Sequence, residues 1–435
     1  MPVKARETRL WRAGDKGGIC CVDSDRAGSA RSHTPVRRVR STLTHIEVLA
    51  IESVADALRK DLTQSPGPGR QVVAGPPAAR RFRVLAWATI AATTLPSRGE
   101  AQGLPPRLTE FLRQTIALDR RGMLAVTDGN PVAKVLASSD EREIALFGIV
   151  RIDVPRSFYV RFAATFPSSL RDPSRLGFGL FSDPPAASDV ARLSLPHDDV
   201  QDLAHCSAGA CRVKLPAQAI AHLRTTVDFA SPSADSVVTA YFRAHMIEYV
   251  TAYRARGDSA LIVYDDQQSR TAAAHVFQTM LARSPYLFRA PSLERYLVDY
   301  PRDRPANLSE ARFWSEDDLP GLKPTVTITQ QIVYAPPELP GVTLIASKLL
   351  YAAHFLDGAL DLTAVVDGTE DQPAKPAGIY LVLFRRLHFD NLPSGGPLNV
   401  RGRVIGELLQ RTTAMLRDTR ARQERAYAAA PDSSR

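Results

Sequence analysis

Residues Ile379 to Phe389, IYLVLFRRLHF, form a long apolar run, and a run of this composition predicts a buried β-strand. A second run, TVTITQQIVY, covers Thr325 to Tyr334 and alternates β-branched with other residues, as strands do. A helical pattern then runs from about Asn399 to Arg425, close to seven turns. Strands followed by one long terminal helix predict an α+β fold, in which the helix covers an antiparallel sheet.

Two further β patterns lie earlier in the chain, at 131–137 and 144–154, and a mainly helical region covers about 190–300. We therefore expect a curved antiparallel sheet with a long C-terminal helix. Residues 190–300 are expected to form a helical insertion in this α+β domain, between the early and the late strands.

Residues 80–101 have the three parts of a secretory signal peptide. A basic cluster at 80–83 precedes a 12-residue apolar run at 84–95, and the small residues Gly99 and Ala101 stand before the expected cut. The apolar run is too short for a spanning helix, which needs about 20 residues. The alternative is a buried helix. The sequence thus predicts export to the periplasm or the extracellular space, with no transmembrane span in the mature chain.

The expected cut after Ala101 divides the chain into unequal parts. Residues 1–79 are expected to be a disordered leader or to precede the true start, for example at Val72 or Val73. Residues 102–428 are expected to form a single α+β domain, and 429–435 a disordered tail. Residues 1–101 hold 17 basic and 9 acidic residues, so most of the formal net charge of +9 lies there. The mature part is nearly neutral, which argues against a nucleic-acid partner.

Two of the four cysteines, Cys206 and Cys211, lie in the mature part and enclose the short segment Ser-Ala-Gly-Ala. An oxidising compartment favours a disulfide between them. Free thiols are one alternative. A metal site is another, with His205 as the neighbouring ligand, although it would need a further ligand from elsewhere.

The chain resembles an uncharacterised family of exported bacterial proteins, a resemblance that implies no activity. Four segments carry it: CSAGACRVKLP from Cys206, YRARG from Tyr253, GLKP from Gly321 and SKLLYAAHFLDGALDL from Ser347. The segment Leu387-His388 departs from the family pattern. The order of strands and terminal helix also resembles the helix-grip, or START-like, arrangement, which implies an apolar cavity between sheet and helix.

Motifs of the common enzyme classes are missing from the sequence. It has no Gly-x-Ser-x-Gly elbow, no His-Glu-x-x-His and no Cys-x-x-Cys, and Gly177-Phe-Gly179 lacks the rest of a phosphate-binding loop. We therefore predict no catalytic residues, no metal and no cofactor.

One polar cluster, Lys348, Tyr351, His354 and Asp357, recurs in steps of three. On a helix these side chains would share a face and could contact a ligand or perform acid–base chemistry. On a strand Tyr351 and His354 would lie on opposite faces, and the cluster would not form. Structural hydrogen bonding is the third interpretation of these residues.

Two arginines, Arg385 and Arg386, interrupt the apolar strand at 379–389. An unpaired buried charge is costly, so the one that faces inward needs an anionic partner. We expect a ligand head group or a protein carboxylate, with Asp265 and Asp266 as candidates. The expected ligand-binding residues are therefore Lys348, Tyr351, His354 and Arg385.

These observations favour an exported protein that binds a hydrophobic or lipid-like molecule between the sheet and the C-terminal helix. Two alternatives remain. One is a hydrolase-like enzyme that uses the Lys348, Tyr351 and His354 cluster, and the other is a protein-interaction module that docks partners through its helical insertion.

Overall fold

The computed structural model describes residues 104–164, 175–284, 290–318, 323–368, 378–394 and 399–430. The predicted leader and signal peptide lie outside these described residues, as does most of the predicted tail.

Ten strands occur in the described part of the chain. They are β1 (Val132–Leu136), β2 (Glu143–Ile152), β3 (Arg175–Leu180), β4 (Val263–Tyr264), β5 (Thr271–Ala272), β6 (Leu308–Asp317), β7 (Thr325–Tyr334), β8 (Val342–Ala352), β9 (Leu356–Asp367) and β10 (Ile379–Phe389). Eight of them form one open antiparallel sheet in the order β1-β2-β10-β9-β8-β7-β6-β3, whereas β4 pairs with β5 alone.

Nine α-helices surround this sheet within the same described ranges. They are α1 (Pro106–Gln114), α2 (Arg120–Thr127), α3 (Arg156–Ala164), α4 (His197–Ala204), α5 (Ala217–Thr226), α6 (Ala234–Arg256), α7 (Ala273–Ala282), α8 (Pro291–Asp299) and α9 (Val400–Ala429). Among these helices, none has the length and apolar character needed to cross a membrane.

The two faces of the sheet are covered differently, because alternate side chains of a strand point to opposite sides. On one face, Ile328, Tyr351 and Leu360 pack with residues of helices α4 to α8 in the largest apolar core. We call this side the insertion face. The first two helices cover the same face nearer β1, where Phe111 of α1 makes an edge contact with Phe384 of β10 at 5.7 Å between ring centroids.

The opposite side, which we call the cleft face, carries Arg385, Asp361, Ser347 and Gln331 on its central strands. Helix α9 lies on this face, mainly against β2 and β1. Gly148 of β2 allows the close approach: a Cβ there would lie 3.0 Å from Leu416 Cδ1 and 3.2 Å from Thr412 Cγ2.

The structure confirms the predicted α+β fold with an antiparallel sheet, a long C-terminal helix and further helical elements. Strands β7 and β10 have the predicted limits, and α6 ends before Gly257. The sequence patterns did not reveal β3, β6 or β9. The residues from Lys348 to Asp357 belong to β8, β9 and their turn, so the helical alternative for this segment is wrong.

Candidate functional site

A bulge in β8 places the first two residues of the predicted polar cluster on the same side of the sheet. Gln330 pairs with Lys348 and Ile328 pairs with Tyr351, so three residues of β8 span two of β7. The tyrosine hydroxyls of the helical insertion satisfy the displaced backbone: Tyr249 donates to Leu350 O at 2.6 Å. Both Lys348 and Tyr351 therefore face the helices of the insertion, although their spacing is odd.

The helix-based version of the polar cluster is therefore wrong. Pairing of β8 with both β7 and β9 decides the local structure, and His354 lies in the turn between β8 and β9. Side chains three apart do not converge there as they would on a helix. Lys348 binds Asp258, His354 binds Asp199 and Asp357 binds Lys214, so each belongs to a different network.

Lys348 is buried and forms an ion pair with Asp258. Its Nζ lies 3.6 Å from the centroid of the Phe277 ring and 5.4 Å from that of Tyr253. Burial outweighs the attraction of Asp258 and lowers the pKa of Lys348 to about 8. Burial also raises the pKa of Asp258 despite the lysine beside it. Burial of the two charges therefore costs free energy, which the contacts of the ammonium group with the aromatic rings partly offset.

His354 joins the turn between β8 and β9 to helix α4. Its Nδ1 lies 3.0 Å from the carbonyl oxygen of Arg212 and its Nε2 lies 2.9 Å from Asp199 Oδ2. Lys323 Nζ binds the other oxygen of Asp199 at 3.1 Å. Burial alone would raise the pKa of Asp199, but the hydrogen bond from His354 and the charges of both partners hold it below its ordinary value. All polar atoms of the imidazole are thereby occupied.

Lys214 is the centre of a third buried network. Its Nζ lies 2.8 Å from Asp357 Oδ1, 3.3 Å from Asp266 Oδ2 and 3.5 Å from Asp390 Oδ2. Burial would lower the pKa of Lys214, but the three carboxylates raise it above its usual value. Tyr351 donates its hydroxyl hydrogen to the carbonyl oxygen of Lys214 at 3.0 Å. One ammonium group therefore joins segments from four parts of the chain.

The predicted disulfide lies beside this network. Cys206 and Cys211 are joined, and the backbone N–H of Cys211 donates to Asp266 O at 2.9 Å. Gly209 likewise donates to Asp265 O at 2.6 Å. The closed loop therefore fixes the segment that leads to Lys214. Across the described ranges, no three His, Cys, Asp or Glu side chains are grouped to hold a metal ion.

Arg385 and Arg386 find their partners on neighbouring strands rather than at Asp265 or Asp266. Arg386 lies on the insertion face and binds Glu143 of β2. Arg385 lies on the cleft face and binds Asp361 of β9 through two bonds, Nε to Oδ1 at 2.9 Å and Nη2 to Oδ2 at 2.6 Å. The charge of Asp361 raises the pKa of Arg385 above its ordinary value. Both side chains of this pair are 25% exposed.

The pair begins a row of polar side chains that crosses the cleft face. Arg385 pairs in register with Asp361, Asp361 with Ser347, and Ser347 with Gln331, so the row crosses four strands. Its members are only partly buried as residues. Gln331 Oε1 is nevertheless enclosed and has no hydrogen-bond partner within the described structure. A buried acceptor without a partner is uncommon in folded proteins and points to a missing donor.

Apolar residues flank this polar row on both sides. Toward α3 the next row holds Leu383, Thr363, Ile345 and Val333. Ile345 and Val333 belong to the same apolar core as Leu416 of α9. In the other direction, Leu349, Phe313 and Leu180 follow one another across β8, β6 and β3, with Thr329 of β7 between the first two. Leu180 is 40% exposed, and Leu176, in the bulge at the start of β3, is 58% exposed. The edge of the cleft face is thus apolar and accessible.

Helix α9 forms the other wall. Arg420 binds Gly129 O just before β1, so this flank of the helix points toward the β1 edge. Leu408 and Met415, seven residues apart, lie on the opposite flank, where Leu408 packs against Ile144 and Leu146 of β2 and Met415 packs against the core that contains Leu416. Thr412 lies between the flanks over Gly148, and its hydroxyl is buried without a described partner. Together these residues define the candidate site, which we call the cleft.

Of the four expected ligand-binding residues, Arg385 alone lies in the cleft. Lys348, Tyr351 and His354 face the insertion and its loops, and the structure does not bring them together with Arg385. Sequence reasoning missed Asp361, Ser347 and Gln331. The signal for the polar face was present in β7, where Thr325, Thr327, Thr329 and Gln331 all share one parity.

In comparisons with known proteins, no protein-family model, no curated protein and no solved structure matches this chain.

Proposed function

We propose that this protein binds an amphiphilic small molecule in the cleft between the sheet and helix α9. The observation that carries the proposal is the polar row, which has apolar side chains on both sides and Gln331 Oε1 enclosed and unpartnered at its end. A ligand with a polar head and an apolar body would match both parts. Its head would lie on the row, and its body would lie along Leu349, Phe313 and Leu180.

Burial on the cleft face agrees with this assignment. Leu349, Ser347, Asp361 and Thr363 are only half-buried, whereas the central residues of the insertion face are enclosed by helices. Apolar surface of this kind gains about 25 cal/mol for each Å² removed from water, so a ligand that covers it binds favourably. The cleft thus has the mixed lining typical of small-molecule sites, in which a few polar groups orient an apolar ligand.

The binding experiment begins with protein purified without detergent and examined by native mass spectrometry for a retained lipid-like molecule. An environment-sensitive apolar dye then reports occupancy in solution. Ser347→Trp places an indole over the polar row and is expected to abolish dye binding. Leu180→Asp, at the apolar edge, is expected to weaken it about tenfold, which corresponds to 1.4 kcal/mol.

The matched control is Leu124→Asp on α2. Leu124 is 44% exposed, close to the 40% of Leu180, but it lies on a helix of the other face. This variant should bind the dye as the unchanged protein does. Dye binding that survives Ser347→Trp, with an unchanged thermal midpoint, would contradict the proposal.

We further propose that the protein reaches this ligand outside the cytoplasm. The signal-peptide pattern at 80–101 and the disulfide between Cys206 and Cys211 support export. N-terminal sequencing of the protein from the periplasm or the medium should give a chain that begins at Gln102. Ala101→Phe should block the cleavage and leave the longer form. A mature chain that still carries residues 80–101 would contradict this part of the proposal.

No observation favours an enzyme built on Lys348, Tyr351 and His354, whose exposed fractions are 1%, 0% and 3%. The interaction-module alternative would need a wide apolar patch on the insertion. The large exposed apolar side chains described in that region are Val237, Val263 and Val298, which lie on three different elements.

A further inference from the structure

We infer that the cleft selects an amphiphile whose head group is uncharged and donates hydrogen bonds, such as a polyol or an amide, over one with a carboxylate. This inference rests on the proposed function and names the class of ligand that the same site takes. Three properties of the polar row carry it: its charge balance, the type of its unpartnered atom, and its length.

The charge balance of the cleft face leaves little to attract an anion. Asp361 already neutralises Arg385 through two hydrogen bonds, and it directly precedes Ser347 in the row. Two further ion pairs on this face have the same character: Arg175 binds Asp317 at 3.3 Å and Arg156 binds Asp367 at 3.1 Å. A ligand carboxylate would have to displace Asp361 and would then lie beside it, an arrangement of like charges that is unfavourable.

The unpartnered atom in the row is an acceptor. An amide oxygen such as Gln331 Oε1 needs a donor, which a hydroxyl or an amide N–H supplies and an ionised carboxylate does not. The buried hydroxyl of Thr412, over Gly148 on the other side of Arg385, can accept or donate. Ser347 between Asp361 and Gln331 can likewise do either. An uncharged head with several hydroxyls thus satisfies the row more completely than an anion.

The length of the row indicates the size of the head. Asp361, Ser347 and Gln331 occupy three adjacent strands, so the distance from first to last is two strand spacings, roughly 10 Å. A head between glycerol and a monosaccharide in size could contact the carboxylate, the hydroxyl and the amide oxygen together. The acyl chain would then extend over Leu349 and Phe313 toward the exposed edge at β3.

One cation on α9 offers a competing site for an anion. Arg422 lies near Tyr159 of α3, and its Nε is buried without a hydrogen-bond partner in the described part of the chain. It lies ten residues beyond Thr412, about 15 Å along the helix axis, so it is outside the polar row. The two positions can therefore be tested separately.

The test uses two probes with the same twelve-carbon chain, dodecanoate and 1-dodecanoyl glycerol, titrated below their critical micelle concentrations. Calorimetry or displacement of the apolar dye gives the Kd of each. The glycerol ester is expected to bind about tenfold more tightly than dodecanoate. Gln331→Leu should remove this advantage by weakening the ester about tenfold while leaving dodecanoate unchanged. Gln410→Leu, on the exposed side of α9, is the matched control and should change neither Kd.

Equal or tighter binding of dodecanoate, blocked by Ser347→Trp, would overturn the inference and leave the proposed function intact. Dodecanoate binding that survived Ser347→Trp but was removed by Arg422→Gln would assign the anion to α9 and leave the selectivity of the cleft as inferred. If neither probe bound and Ser347→Trp left dye binding unchanged, the proposed function itself would be contradicted. The thermal midpoint of each variant separates lost binding from lost folding.

Discussion

The two faces of the same sheet use charged residues in opposite ways. On the insertion face, Lys214, Lys348 and Arg386 are each at most 5% exposed, and each meets carboxylates from other segments. On the cleft face, Arg385 and Asp361 keep a quarter of their surface in water and pair with each other across adjacent strands. A buried ion pair holds segments in one arrangement, whereas a half-exposed pair remains available to a ligand.

The number of polar residues on a face therefore does not locate a binding site. The insertion face holds the richer collection of titratable groups. Asp258 Oδ2 and Asp357 Oδ2 lack a hydrogen-bond partner there, but both carboxylates are buried and paired with a lysine of the protein. The cleft face holds fewer, and its row ends in an acceptor without a donor. Accessibility together with unsatisfied hydrogen bonding is therefore the better guide.

Removal of Lys214 should destabilise the protein more than any other single change discussed here. Lys214→Ala leaves Asp266, Asp357 and Asp390 close together without their shared ammonium group. Breaking a buried ionic network in this way typically costs 3–5 kcal/mol of unfolding free energy, so we expect about 4 kcal/mol. Urea denaturation measures the change. Arg403→Ala, an exposed position on α9, serves as the control. A loss of unfolding free energy below about 1 kcal/mol would show that the three carboxylates do not need Lys214 for a stable fold.

Loss of the disulfide should have the second largest effect. Cys206→Ser with Cys211→Ser releases a short loop, and the chain-entropy estimate for closing such a loop is about 2 kcal/mol. Because this loop leads to Lys214, the losses of unfolding free energy caused by the double cysteine variant and by Lys214→Ala should not add fully when the changes are combined. Thermal or urea denaturation with and without a reducing agent checks both statements. Full additivity would separate the loop from the charged network.

The sequence predicted the strands whose charges are few and missed those whose charges are buried in pairs. Strands β7 and β10 have long apolar or alternating patterns and were placed correctly. Strand β6 has Glu310 and Arg312 pointing into the core, where they bind each other and Tyr300. Such a pattern resembles a surface segment until the partners from other parts of the chain are known.

The sequence does not predict the edge strand β3 because of its glycines. Gly177 and Gly179 weaken its strand pattern, but they lie against Trp314 of β6, whose ring occupies the space of their missing side chains. The sequence also indicated that Arg385 needs an anionic partner. It could not identify Asp361, because that choice depends on the register of β9 against β10.

Lys348 should make stability rise with pH in the mildly alkaline range. Its pKa is about 8 in the folded protein and near 10.5 when unfolded, so the unfolded state binds more protons between these values. The unfolding free energy should therefore increase above pH 8, by at most about 1.4 kcal/mol per pH unit. Lys348→Met should abolish the increase. We would measure unfolding from pH 7.5 to 9.5, below the range in which tyrosines titrate. Identical slopes for both proteins would contradict the assignment.

The pair on the cleft face should contribute least to stability, and that small effect completes the contrast. Arg385→Gln removes a half-exposed ion pair, which is typically worth no more than about 1 kcal/mol. A double-mutant cycle with Asp361→Asn isolates the coupling between the two side chains. If the coupling proved as large as that between Lys214 and Asp357, the pair would be structural like the networks of the insertion face. If it is small, the pair can remain half-exposed in the floor of the cleft and contact a ligand, with little loss of stability when either side chain is changed.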